Sequence, residues 1–98
     1  MFKVIWSNRA LEDIIDITEF IAKDSKKYAR LTSKNLVLKC NELINFPKKG
    51  KVVVEFKIDS IREIIVGNYR IIYSIGINDV NILTIHHSAR SLLKRKIL

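Results

Sequence analysis

The stretch IREIIVGNYRIIY, Ile61 to Tyr73, decides the fold. Two β-branched runs flank Gly67-Asn68, and glycine at the first central position supplies the positive φ that a two-residue primed turn requires, so the segment reads as a β-hairpin. Loop length sets register, placing Val66 opposite Tyr69, Ile65 opposite Arg70, Ile64 opposite Ile71 and Glu63 opposite Ile72. Side chains alternate across a strand, so Ile64, Val66, Tyr69, Ile71, Tyr73 and Ile75 share one face, and Glu63, Ile65, Arg70, Ile72 and Ser74 the other. The first set is more apolar and is the face expected to be covered. The second is expected to stay open, with Arg70 and Glu63 within reach of each other diagonally across the strand pair. Arg62 falls on the covered face by the same count, which requires it to snorkel out at the sheet's end or a bulge to shift it.

Outward from the hairpin, Val80 to His86 supplies a further strand after the connection Gly76 to Asp79. Upstream, Lys51 to Ile58 is apolar enough to extend, but Lys57 and Asp59 mark it as an edge or an irregular arm. Before the Pro47 to Gly50 turn lie two amphipathic segments. Leu11, Ile14, Ile15, Thr18, Ile21 and Ala22 recur at helical spacing behind a Ser7 N-cap, and Ser33, Leu36, Val37, Cys40, Leu43 and Ile44 repeat the pattern behind Asp24-Ser25. The short joint makes them an antiparallel helical hairpin. Phe2 to Trp6 reads as a first strand. The expectation is one α+β domain over residues 1–98: a helical hairpin packed on one face of a small, mainly antiparallel sheet, in the order β-α-α-β-β-β.

Composition narrows the function classes. A chain of 98 residues that is 48% hydrophobic, with three glycines and one proline, can build a core and does not read as disordered. No apolar run approaches the ~20 residues of a membrane-spanning helix, and the N-terminus lacks the layout of a secretion signal, so a cytoplasmic address with no membrane partner is expected. The lone Cys40 agrees with a reducing compartment. Net charge is +8, which points to an anionic partner. The excess is uneven: residues 25–50 hold seven basic residues against one acidic residue, and residues 77–98 hold four against one. Two adjacent histidines and one distant cysteine do not form a metal-ligand set, and no glycine-rich phosphate loop is present, so neither a metal nor a cofactor is expected.

The order strand, helical hairpin, F-P-x-x-G turn (Phe46, Pro47, Gly50), hairpin Ile61 to Tyr73, then I-L-T-I-H-H-S-A-R (Ile82 to Arg90) resembles the RelE/ParE superfamily of bacterial toxins. The resemblance spans nearly the whole chain. Its most specific part is the R-E-x-x-V-G-x-Y-R-x-x-Y core, followed by an H-x-x-R-like ending. It implies a growth-arresting toxin of a type II toxin-antitoxin pair, masked by a cognate antitoxin, with operator DNA met only through the antitoxin complex. Two mechanisms occur on this fold, and fold alone does not choose between them. RelE-like members are endoribonucleases that cut messenger RNA on the ribosome, whereas ParE-like members break no bond and interfere with DNA gyrase.

RNA cleavage needs a base, an acid and cations to steady the phosphorane. By the resemblance, Arg70 and Arg62 are the two candidate cations, and His86 and His87 the candidate proton carriers. No tyrosine follows Tyr73, the lysine pair typical before the Y-R strand is replaced by Glu63 and Ile64, and an acid beside Arg70 would neutralise a phosphate-binding cation. The ParE-like branch is therefore favoured, with Glu63, Arg70, Arg90, Lys94, Arg95 and Lys96 as residues that meet the target or antitoxin. Plainer readings stand beside these. Arg70 with Glu63 is also what a surface ion pair looks like. Lys26, Lys27, Arg30, Lys34 and Lys39 also fit a solvated helix face, and an inactive basic binding module or co-repressor is the reading outside the toxins.

Overall fold

The structure, a computed structural model, describes residues 2–95 and residue 97. Strand β1 (Lys3–Trp6) leads into helices α1 (Asn8–Ala22) and α2 (Lys26–Asn41), and a 3-10 turn at Glu42–Ile44 ends the helical half. Strands β2 (Lys51–Val52), β3 (Ile61–Val66), β4 (Tyr69–Ile75) and β5 (Asp79–His87) follow, with a second 3-10 turn at Leu92–Lys94. The sheet order is β1-β5-β4-β3-β2, with β1 parallel to β5 and all other pairs antiparallel. This is the expected α+β architecture of two helices on one sheet, with a fifth strand where the short Lys51–Val52 segment pairs at the edge before the chain leaves as an irregular arm.

Both helices start where serine can satisfy a first-turn N–H. Ser7 Oγ accepts from the Ala10 amide at 3.0 Å and Ser25 Oγ from the Tyr28 amide at 3.1 Å. The Ser7 hydroxyl also donates to the Leu83 carbonyl at 2.9 Å, so the α1 cap is at once a clamp on β5. Ala10, Leu36, Cys40 and Leu43 bury their side chains against Ile71, Tyr73, Val80, Ile82 and Ile85. Burial pushes the Cys40 thiol up to about 12, which leaves it a packing group with no thiolate chemistry.

The hairpin register is the one read from the sequence, from Val66 opposite Tyr69 out to Ile61 opposite Ser74, and Gly67 takes φ +57°. The covered face is the expected one. On the next strand pair the register slips: Ile72 faces Thr84 but Tyr73 faces Ile82, so Leu83 is an extra residue in β5. This bulge moves Ile85 to the helix-covered face with Val80 and Ile82, and sends His86 to the opposite face beside Arg70.

Arg62 neither snorkels free nor is shifted by a bulge. Its Nη1 donates to the Gly50 carbonyl at 3.0 Å, its Nε to the Asp59 carbonyl at 3.1 Å, and its Nη2 to the Asp59 carboxylate at 3.1 Å. Tyr73, buried beside it, donates its hydroxyl to the Pro47 carbonyl at 2.7 Å and accepts from the Gly50 amide at 3.0 Å. A Cβ at Gly50 would collide with the Glu63 carbonyl and lie 2.6 Å from the Tyr73 hydroxyl, which is why the turn ends in glycine. Tyr73 and Arg62 together staple the Pro47–Gly50 turn to the sheet. Tyr73→Phe strands a buried amide and a carbonyl, so urea denaturation is expected to show a loss of about 1–3 kcal/mol with an unchanged m-value.

Candidate functional site

The sheet face away from the helices was expected to be open, and the structure corrects this. Val53, Ile61, Ile72 and Leu92 form a second small core there, with Phe56, Leu83 and Ile97 packed against it. The arm after β2 covers one side of the face and the C-terminal turn covers the other.

Between them lies Arg70. Its Nη1 and Nη2 donate in a fork to the two carboxylate oxygens of Glu55, at 2.8 and 2.9 Å, while Nε and Nη2 donate to Glu63 at 3.1 and 2.6 Å. The Arg70 side chain is 12% exposed and Glu63 4%, so the charges have little water to compensate them except each other. Hydrogen bonding from Arg70 holds the Glu55 carboxyl well down, at about 2, and contacts with Glu55 and Glu63 push the guanidinium up from its ordinary value. One cation faces two anions, so the cluster presents no net positive charge to a phosphate. The expected Arg70–Glu63 contact is present; Glu55, on the arm, was not anticipated.

His86 pairs with Arg70 across the β4–β5 ladder and is 1% exposed. Its Nε2 lies 2.9 Å from the Arg90 carbonyl, which only accepts, so that nitrogen carries the proton and Nδ1 accepts from Arg95 Nη1 at 3.3 Å. Arg95 also donates to Asp13 Oδ1 at 2.9 Å. The other Asp13 oxygen accepts from the Thr84 hydroxyl and from the Ile85 amide, capping the edge of β5 beyond the end of β1. His87 points to the helix side, half-buried, with Nδ1 accepting from the Ala89 amide and its ring edge-on to Tyr69.

The open surface lies elsewhere, in a groove of about 1270 Å³ between the helical hairpin and the β3–β4 end of the sheet. Ile17, Phe20, Tyr28 and Leu31 line its helical side and Val66 and Tyr69 its sheet side. Phe20, Tyr28 and Leu31 are more than half exposed. Exposed Arg90 and Lys94 stand on its rim, together with His87. Of the candidate site residues, then, Arg90 and Lys94 meet solvent at the groove, Arg95 is spent on Asp13 and His86, and Glu63 and Arg70 are enclosed together. Arg62 sits in the turn staple, and Lys96 lies outside the described residues. The apolar groove residues were missed in the sequence because Phe20, Tyr28 and Leu31 fall off the helical core stripes; large apolar side chains on the polar faces were the available signal.

Residues 4–92 match the model of the ParE toxin of the type II toxin-antitoxin system parDE. The chain belongs to the ParE toxin family, within the RelE/ParE superfamily. It is 30% identical over 91 residues to the protein named Toxin RelE2 of Caulobacter vibrioides, covering 92% of this chain and 99% of that one. A solved structure described as the chromosomal ParDE TA system from P. aeruginosa superposes with a TM-score of 0.74 over 89% of this chain and 96% of that chain, at 14% identity, which speaks for the fold alone. As a ParE-family toxin of a type II toxin-antitoxin system, it keeps the superfamily's Tyr-Arg strand and encloses the arginine.

The enclosed arginine has a measurable pH signature. The folded Glu55 value lies below its ordinary 4.5, so the stability that Glu55 contributes is complete above about 4.5 and is lost as pH falls towards 2. Glu55→Gln is expected to cost about 1.5–3 kcal/mol at pH 7 by chemical denaturation, with the gap to the parent narrowing below pH 4.5.

Proposed function

We propose that this ParE-family toxin arrests growth by binding DNA gyrase without breaking a bond, and that its antitoxin silences it by filling the groove with an apolar segment bearing acidic residues. The observation that carries the reading is the double carboxylate clamp on Arg70. A ribonuclease of the RelE type would need that guanidinium free to meet phosphate, and here its donors are bound by Glu55 and Glu63. Arg62 and His86 point the same way, while His87 alone of the proton-carrier candidates stands at the groove rim. The Arg62 guanidinium is committed to Gly50 and Asp59, and His86 is buried with both ring nitrogens engaged. A general acid or base must reach the proton it moves, and His86, 1% exposed with its ring nitrogens held by the Arg90 carbonyl and Arg95, does not.

Binding suits the surface that is exposed. A trough lined by Ile17, Phe20, Tyr28 and Leu31, with Arg90 and Lys94 on the C-terminal side of its rim and Asp16 on the α1 side, complements an amphipathic peptide that sets acidic residues against the two cations. The apolar contacts supply affinity, and the charges supply orientation and encounter rate.

In a supercoiling assay with purified gyrase, the toxin is expected to inhibit, and primer extension on cellular transcripts after induction is expected to show no codon-positioned cuts. Cuts without gyrase inhibition would transfer the protein to the nuclease branch. Replacing Arg90 and Lys94 together with Glu should weaken antitoxin binding by roughly tenfold or more, mostly through a slower association rate at low salt.

A further inference from the structure

Four cations on α2 have no ionic partner among the described residues. Lys26, Lys27, Arg30 and Lys34 are exposed, and among the described residues no carboxylate pairs with any of them. Among the described residues Lys39 is the α2 cation that forms an ion pair, with Glu42 at 3.6 Å. Their arrangement works against the helix. Lys26 and Lys27 occupy its first turn, at the positive end of the macrodipole, and Lys26, Arg30 and Lys34 repel one another at successive i, i+4 positions. A solvated face that served only solubility would gain from mixed signs.

At 3.6 residues per turn, Lys26 and Arg30 point at least about 100° away from Tyr28, Leu31, Thr32 and Asn35, which line the groove, whereas Lys34 stands about 60° from Leu31. A peptide seated in the groove leaves Lys26 and Arg30 uncovered.

We propose that the outer face of α2, through Lys26, Arg30 and Lys34 with Lys27 beside them, docks on the phosphate backbone of duplex DNA. The row is rigid, with its cations about 6 Å apart along the helix axis, and the exposed apolar side chains in line with it or beside it, Val37 and Leu38, lie past its C-terminal end rather than between the cations. Nor does it hold an aromatic platform on which single-stranded bases could stack. What it offers is a line of lysine and arginine heads, the means by which proteins hold duplex DNA without reading its sequence. The toxin then meets DNA directly, in addition to any contact made through its antitoxin, and this holds whichever macromolecule it arrests.

Fluorescence anisotropy of the full chain with a labelled duplex of arbitrary sequence, from 50 to 200 mM KCl, tests it. Neutralising three phosphates predicts a salt slope near −2.7, or about a 40-fold loss of affinity over that range. Lys26→Gln, Arg30→Gln and Lys34→Gln combined should weaken binding at 50 mM at least tenfold and flatten the slope. A control triple, Lys3→Gln, Lys48→Gln and Lys51→Gln, removes equal charge at exposed positions elsewhere and should bind like the parent. Thermal melting of each variant separates loss of contact from loss of fold. Equal weakening by both triples would reduce the effect to net charge and overturn the proposal, as would absence of duplex binding at 50 mM. Polyglutamate binding as tightly as the duplex, with the same dependence on the row, would transfer the face to an acidic protein and overturn it too.

Discussion

A guanidinium enclosed between two carboxylates is the constraint on which the second face of this sheet depends. Burying an unpaired charge costs several kcal/mol, whereas an exposed ion pair contributes close to nothing, so the Arg70 cluster acts mainly as a condition on its surroundings. Glu63 is tolerated at 4% exposure only because Arg70 is there, and Arg70 only because Glu55 takes the other side of its fork. Glu55 belongs to an arm whose ladder pairing ends at Val52. Contacts of Val53 and Phe56 give that arm affinity for the sheet, and the bidentate contact gives it a position. The same closure removes the arginine from any external phosphate, which is how a requirement of folding becomes a statement about function.

The two sides of the sheet divide the work. The helix side carries the larger core and runs out, at the β3–β4 turn, into a groove that the helices do not fill. The far side is closed by the arm and by Leu92. The C-terminal turn links them: Leu92 packs on the far side, Arg95 ties back to Asp13 on α1, and Arg90 and Lys94 reach the groove rim. Asp13 is the pivot of that link, since one carboxylate caps the open edge of β5 and holds the tail.

Features that are local in the chain were legible in the sequence. The hairpin register, the two serine caps and the choice of covered face each follow from a turn or a period within a dozen residues. The features that escaped depend on distant partners. Glu55 reaches Arg70 across fifteen residues and an irregular loop, where no periodicity reports which way a side chain points. Parallel pairing of β1 with β5 joins the two ends of the chain. The Leu83 bulge did leave a trace, because Val80 and Ile82 alternate and the next apolar residue of that face comes three positions later, at Ile85; reading it required knowing that Thr84 could turn to Asp13.

A partner that fills the groove covers the apolar side chains this toxin leaves exposed. Phe20, Tyr28 and Leu31 stand exposed around one trough, and apolar surface of that kind persists in a small protein when some partner covers it. An interface of ordinary size takes about 800 Å² from each partner, a sizeable share of the 6427 Å² this chain exposes. Two partners that both need the groove therefore exclude each other, and inhibition by occupancy needs no conformational change in the toxin. The groove stands open beside an arginine whose donors are already bound by Glu55 and Glu63, so the exposed surface of this domain offers contact area and withholds that guanidinium.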